Sequence, residues 1–124
     1  MLTHADAMRA TEALGRYGEE LAVRLLRQQG MTVIDRNWRC RFGELDIVAR
    51  DGATLVFCEV KTRRGTSYGT PAAAVDIRKL ARLHRLTGAW LAAHAEHAPD
   101  LRIDVVAITC GKGQPAIEHL RGVG

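Results

Sequence analysis

Apolar residues recur at helical spacing early in the chain. Leu14, Tyr17, Leu21, Ala22, Leu25 and Leu26 span one broad arc at about 100° per residue. The stretch is rich in alanine and free of proline, and Gly30 closes it, so residues 4–29 are expected to form a helix. The pattern then changes. Residues 31–40 read as a strand that Asn37 weakens. Residues 43–50 alternate, with Leu45, Ile47 and Ala49 on one side and Glu44, Asp46 and Val48 on the other. Asp51-Gly52 is a hairpin signal, and Leu55, Val56, Phe57, Cys58 and Val60 mark residues 53–62 as the returning strand. A loop from Gly65 to Gly69 leads to Pro71, expected to open a second long helix that ends near His97. Pro99-Asp100 breaks that helix. Residues 101–109 read as a buried strand, Gly111 to Pro115 as a turn, and 116–120 as a weak last strand. The order αβββαββ packs most naturally as one mixed central sheet flanked by the two long helices, an α/β fold.

A chain of 124 residues is expected to be a single domain spanning 1–124, able to bury about two-thirds of its unfolded surface. With 47% hydrophobic and 26% charged residues it is not a disordered chain, a coiled coil or a collagen. Aromatic residues make up only 5%, which argues against a base-stacking platform. Cys40, Cys58 and Cys110 are far apart and form no Cys-x-x-Cys pair, so neither a disulfide framework nor a zinc site is indicated. Cys58 reads as a small buried hydrophobe. No apolar stretch approaches a membrane span and no signal h-region is evident at the N-terminus, so the expectation is a cytoplasmic protein without a membrane partner.

The net charge of +4 is unevenly spread. Residues 61–85 carry Lys61, Arg63, Arg64, Arg78, Lys79, Arg82 and Arg85 against Asp76 alone, which leaves the rest of the chain net negative. Arg78, Arg82 and Arg85 lie in one narrow helical stripe with Lys79 to one side. The stripe is either an ordinary solvated face or a ridge that tracks phosphates. His94 and His97 have helical i,i+3 spacing but no third ligand nearby, and a frayed helix end accounts for them. His84 lies near the apolar side and reads as structural.

The acids cluster on the central hairpin. If Asp51 and Gly52 form its two-residue loop, Glu44 lies opposite Glu59 and Asp46 opposite Phe57, with Glu44, Asp46, Glu59 and Lys61 on one face. Carboxylates directly opposite one another destabilise a sheet unless they are solvated or neutralised by a cation. Hard oxygen ligands of this kind suit Mg²⁺ or Mn²⁺, and the geometry reads as a metal-dependent phosphodiester site. The alternative is a solvated hairpin face in which Lys61 pairs with Glu59. In the first helix Glu20 is explained by surface pairs with Arg16 and Arg24. Glu19 falls at the margin of the apolar arc. It is either a further acid of the site or a rim residue whose stem packs while its head reaches water.

Gly18-Glu19, Arg36-Asn37, Gly43-Glu44-Leu45-Asp46 and Glu59-Val60-Lys61-Thr62-Arg63 occur in order along the chain. So do Gly69-Thr70-Pro71, Ala74-Val75, Lys79 and Arg82. Over roughly residues 14–120 the chain resembles the bacterial YraN-like family, which is related to archaeal Holliday junction resolvases and to the restriction-endonuclease-like PD-(D/E)xK nucleases. The resemblance implies a restriction-endonuclease-like domain. It also implies Asp46 and Glu59 as metal ligands, with the Val60 carbonyl as a further one. Lys61 would be the lysine of the Glu-x-Lys pair, and Glu19 the helix glutamate of the resolvases. Leu45 stands where the nuclease pattern has proline, and Glu44 is an additional acid. The expected activity is a Mg²⁺- or Mn²⁺-dependent DNA endonuclease, structure-specific on branched DNA. Arg63, Arg64, Arg78, Lys79, Arg82 and Arg85 would contact the backbone, and a homodimer would supply paired cuts. The alternative is a non-catalytic nucleic-acid-binding or DNA-repair accessory module with the same fold.

Overall fold

Thr3 starts the first helix by a reciprocal cap. Its hydroxyl accepts from the Asp6 amide at 3.1 Å, and the Asp6 carboxylate accepts from the Thr3 amide at 3.1 Å. Helix α1 runs His4–Gln28. Gly30 takes φ +88° to reverse the chain. The computed structural model describes Met1, residues 3–65 and residues 75–124. Strands β1 (Thr32–Cys40), β2 (Gly43–Asp51) and β3 (Thr54–Arg64) follow, then helix α2 (Ile77–His94) and strands β4 (Asp100–Cys110) and β5 (Ala116–Leu120). The five strands lie in sequence order. The β3–β4 pair is parallel and the other three are antiparallel. The parallel pair needs a long crossover, which contains α2.

The two faces of the sheet are covered separately. Ala22, Val23 and Leu26 of α1 pack on Ile47, Ala49, Val56, Cys58, Val106 and Ile108. Leu83, Leu86 and Trp90 of α2 pack on Leu45, Val48, Leu55, Phe57 and Ile103. Cys58 is fully buried in the first cluster, as a small hydrophobe should be.

Four local expectations are corrected. The first concerns the hairpin turn. Asp51 pairs with Thr54, so Gly52 and Ala53 are the loop residues. Gly52 has φ +60°, the sign a type II′ turn demands at its first central position. The shifted turn puts Phe57 opposite Val48, not Asp46, and Glu44 is not opposite Glu59. The second concerns alternation. Ile47 and Ala49 face α1, whereas Leu45 and Val48 face α2. The side-chain period therefore slips by one at Asp46. Asn37 of the neighbouring strand takes φ +54° close by, a conformation asparagine tolerates.

The third is the extent of α2. It begins at Ile77 with the Asp76 side chain accepting from the Lys79 amide at 2.8 Å, and Ala95 ends it in the left-handed region. Val75 and Asp76 are not helical, so the helix does not run unbroken from Pro71, which itself lies, with residues 66–74, outside the described residues. The fourth concerns the histidines and Glu20. His84 is exposed. His94 is no frayed end: it stacks on Trp90 at 4.2 Å, and the Trp90 indole donates to Asp35 at 2.8 Å. Glu20 takes Arg36 of β1 as its direct partner at 2.7 Å, with the expected Arg24 a weaker electrostatic neighbour.

The β4–β5 side of the sheet is held by a buried acid. Asp104, fully buried, accepts two bonds from Arg102 at 2.9 and 3.0 Å, and one from the Gly122 amide at 3.1 Å. His119 Nε2 lies 2.7 Å from its other oxygen. This ties the chain after β5 back across β4. Among the described residues no helix is long and apolar enough to cross a membrane.

Candidate functional site

The β2–β3 ladder runs only from Asp51–Thr54 to Ile47–Cys58. Past that point β2 pairs with β1 as far as Gly43, and β3 pairs with β4 as far as Arg64. The two central strands thus fork at Asp46 and Glu59. At the fork the Val60 amide has lost its β2 partner and donates instead to Asp46 Oδ2 at 2.8 Å. Asp46 is fixed by β3 while belonging to β2.

Helix α1 reaches the fork because Gly18 lets it. A Cβ on Gly18 would lie 1.8 Å from Thr62 Oγ1 and 2.9 Å from Thr62 Cβ. Glu19 is thereby brought to the sheet. One carboxylate oxygen each from Glu19, Glu44 and Asp46 lie within 4.8 Å of one another. Gly18→Ala should lower stability by about 1–2 kcal/mol, because an overpacking cost of about 1–3 kcal/mol exceeds the helix-propensity gain of up to about 1 kcal/mol. Urea unfolding checks this; a stabilised variant would show that the helix can lift away freely.

Electrostatics follow from that crowding. Burial pushes the Asp46 carboxyl up to about 7. The Val60 amide opposes this, and the charges of Glu19, Glu59 and Glu44 add to it. Glu19 is also raised, by burial first, while a hydrogen bond from Asn37 opposes the shift. Arg39 Nε lies 3.0 Å from Glu44 Oε2.

The other half of the expected set has different partners. Glu59 receives Arg82 Nη2 at 2.6 Å. Lys61 has its pKa lowered, by burial first and then by the neighbouring Lys79, whose side chain shares a hydrogen bond with it. Lys61 also lines a cleft of about 490 Å³ with Ala10, Thr11, Leu14, Thr62, Arg63 and Arg64. Of the basic stripe, Arg78 and Arg85 are exposed and Lys79 is half-buried beside Lys61, while Arg82 turns inward. Two residues that sequence reasoning gave no role at the site stand in it: Asn37, which bonds Glu19, and Arg39, which pairs with Glu44. The signal for Asn37 was an asparagine inside a strand. Arg39 had none.

Residues 18–108 match the family described as "Uncharacterised protein family UPF0102". The chain belongs to the UPF0102 family. This is the YraN-like group whose motifs the sequence carries. A UPF0102 protein of Kineococcus radiotolerans is 59% identical over 118 residues, covering 94% of this chain and 97% of its own. One from Arthrobacter sp. (strain FB24) is 58% identical, covering 94% and 100%. One from Streptomyces griseus subsp. griseus is 57% identical, covering 94% and 99%. In this UPF0102 chain the family match spans Gly18 through Ile108, so it includes the fork and every acid around it.

Proposed function

We propose that this UPF0102 protein is a divalent-cation-dependent DNA endonuclease. The observation that carries the proposal is the fork. Three carboxylates converge where two strands part, next to a Glu-x-Lys pair and a cleft lined by basic residues. The donor set fits Mg²⁺ or Mn²⁺. All donors are hard oxygens, and the Asp46 carboxyl is raised first by burial and then by neighbouring negative charge, which a cation would offset. Asp46 and Glu59 would hold the ion, with Glu19, Glu44 and the Val60 carbonyl available to complete its shell. The cation supplies Lewis acidity at a phosphoryl oxygen.

The chain's own groups do the rest. Lys61 releases a proton more readily than a free lysine, because burial and Lys79 disfavour its charged form. It orients the attacking water and, when protonated, stabilises charge on the scissile phosphate. Arg63, Arg64, Arg78 and Arg85, with Lys79 and Arg82, guide the nucleic-acid backbone. Two copies of the chain would make paired cuts in branched DNA.

The test is incubation with linear, flapped, forked and four-way DNA in Mg²⁺, Mn²⁺ or EDTA. Cleavage should need the metal and fall by more than about a hundredfold in Lys61→Ala, the scale of lost acid–base assistance. Metal-independent binding with no cleavage of any substrate would make the protein a binding module. A second measurement addresses the exposed arginines. Arg78→Ala with Arg85→Ala should reduce the salt slope of duplex binding by about 0.9 per lost phosphate contact. An unchanged slope would make them a plain solvated face.

A further inference from the structure

Arg82 stands apart from its stripe. It lies four residues after Arg78 and three before Arg85, both exposed, yet its guanidinium turns to the fork and touches Glu59 Oε1 through Nη2 at 2.6 Å. Its stem passes Gly43, whose Cβ, if added, would be 3.7 Å from Arg82 Cδ. Three observations describe the contact. It is end-on, through one nitrogen, not the two-pronged geometry that holds arginine most firmly. The Arg82 Nε is buried and has no hydrogen-bond partner among the described residues. The arginine side chain is 39% exposed and Glu59 only 14%, so the cation is the member of the pair with room to leave.

Glu59 is not among the three acids whose oxygens converge, yet its charge reaches Asp46. On the metal-site reading Glu59 is a ligand of the ion, so an ion entering the fork would compete with Arg82 for Glu59. We infer that Arg82 is an exchangeable positioning residue that couples the two ligands of the site. It holds Glu59 in the metal-free protein, and when a divalent cation takes Glu59 it joins Arg78 and Arg85 on a phosphate. This rests on the metal-site reading above and adds a rule to it: cation and nucleic-acid backbone each strengthen binding of the other, by the same factor.

Two arms test it. The first uses Mn²⁺ alone, followed by the electron paramagnetic resonance signal of the free ion. Arg82→Gln should bind Mn²⁺ up to about fivefold more tightly than the natural protein, since a partly exposed ion pair no longer competes. Arg82→Lys, which keeps the charge, should fall close to the natural value. The second arm uses duplex DNA in EDTA. Glu59→Gln frees Arg82, so the salt slope of binding should rise by about 0.9, one extra phosphate contact. Glu19→Gln removes the same charge from the fork without freeing an arginine and should leave the slope unchanged. The rise should vanish when Glu59→Gln is combined with Arg82→Gln. Mn²⁺ binding by the natural protein but no tighter by Arg82→Gln overturns the coupling alone. A slope that rises equally in Glu19→Gln does the same. No Mn²⁺ binding by any of the proteins overturns the metal site and the coupling together.

Discussion

Replacing Asp46 by asparagine should abolish cleavage and at the same time make the metal-free protein more stable at alkaline pH. Cleavage should fall by more than about a hundredfold, since disturbing the surroundings of a metal ligand alone costs roughly 10–100-fold. The stability gain follows from linkage. The folded protein holds the Asp46 proton up to about pH 7, whereas the unfolded chain releases it near 3.8. Stability from this group is therefore complete below pH 3.8 and lost as the pH rises through about 7. Asparagine carries no charge to confine, and its carbonyl can still accept from the Val60 amide. Allowing for solvent screening at a half-buried site, the gain at pH 8.5 is about 1–2 kcal/mol, or roughly 3–8 °C in Tm. At pH 5.5, midway between the two pKa values, it should be roughly half as large. Thermal melts of both proteins in EDTA at the two pH values check this. An asparagine variant less stable at pH 8.5 would show that the carboxylate is not under strain.

The largest loss of stability should come from the buried acid of β4. Asp104→Ala leaves Arg102 facing Asp51 alone and strands His119 and the Gly122 amide. Removing one partner of a buried ion pair costs about 3–5 kcal/mol, equivalent to about 10–20 °C in a domain of this size. Burial pushes the Asp104 carboxyl up, but Arg102, the Gly122 amide and His119 outweigh it and hold it below the ordinary 3.8. Its contribution is thus present above pH 3.8 and lost as the pH falls through the depressed folded value. Urea unfolding at pH 7 and pH 3 should show the difference between variant and natural protein shrinking at the acid end. Equal differences at both would assign the cost to packing.

The order of elements and most of their approximate limits were legible in the sequence because each rests on a local signal: the apolar arc of α1, Gly30 after it, the apolar run of β3. The faces of β2 were not. Strict alternation grouped Leu45 with Ile47, and the irregularity at Asp46 that separates them lies beside the left-handed Asn37 of another strand, which the pattern of β2 alone does not show. The hairpin register was missed by one turn residue, because Asp-Gly can place its glycine first or second in the loop. At the site, Glu19 was legible as a carboxylate that surface pairing left unexplained. The contact between Arg82 and Glu59 was not, since it joins residues of different elements and the helical stripe placed Arg82 with Arg78 and Arg85. What α1 needs in order to approach the fork, a glycine against Thr62, shows only when helix and strand are seen together.

The most direct measurement is thermal melting of the natural protein and Asp46→Asn across a Mn²⁺ titration, with Ca²⁺ as the non-catalytic comparison. The natural protein should gain stability saturably, by about 2.7 kcal/mol at a hundredfold excess over the dissociation constant, because the ion binds only the folded fork. The variant should gain far less. A natural protein that shows no saturable gain, or a variant that gains equally, would contradict a metal site at the fork built on Asp46.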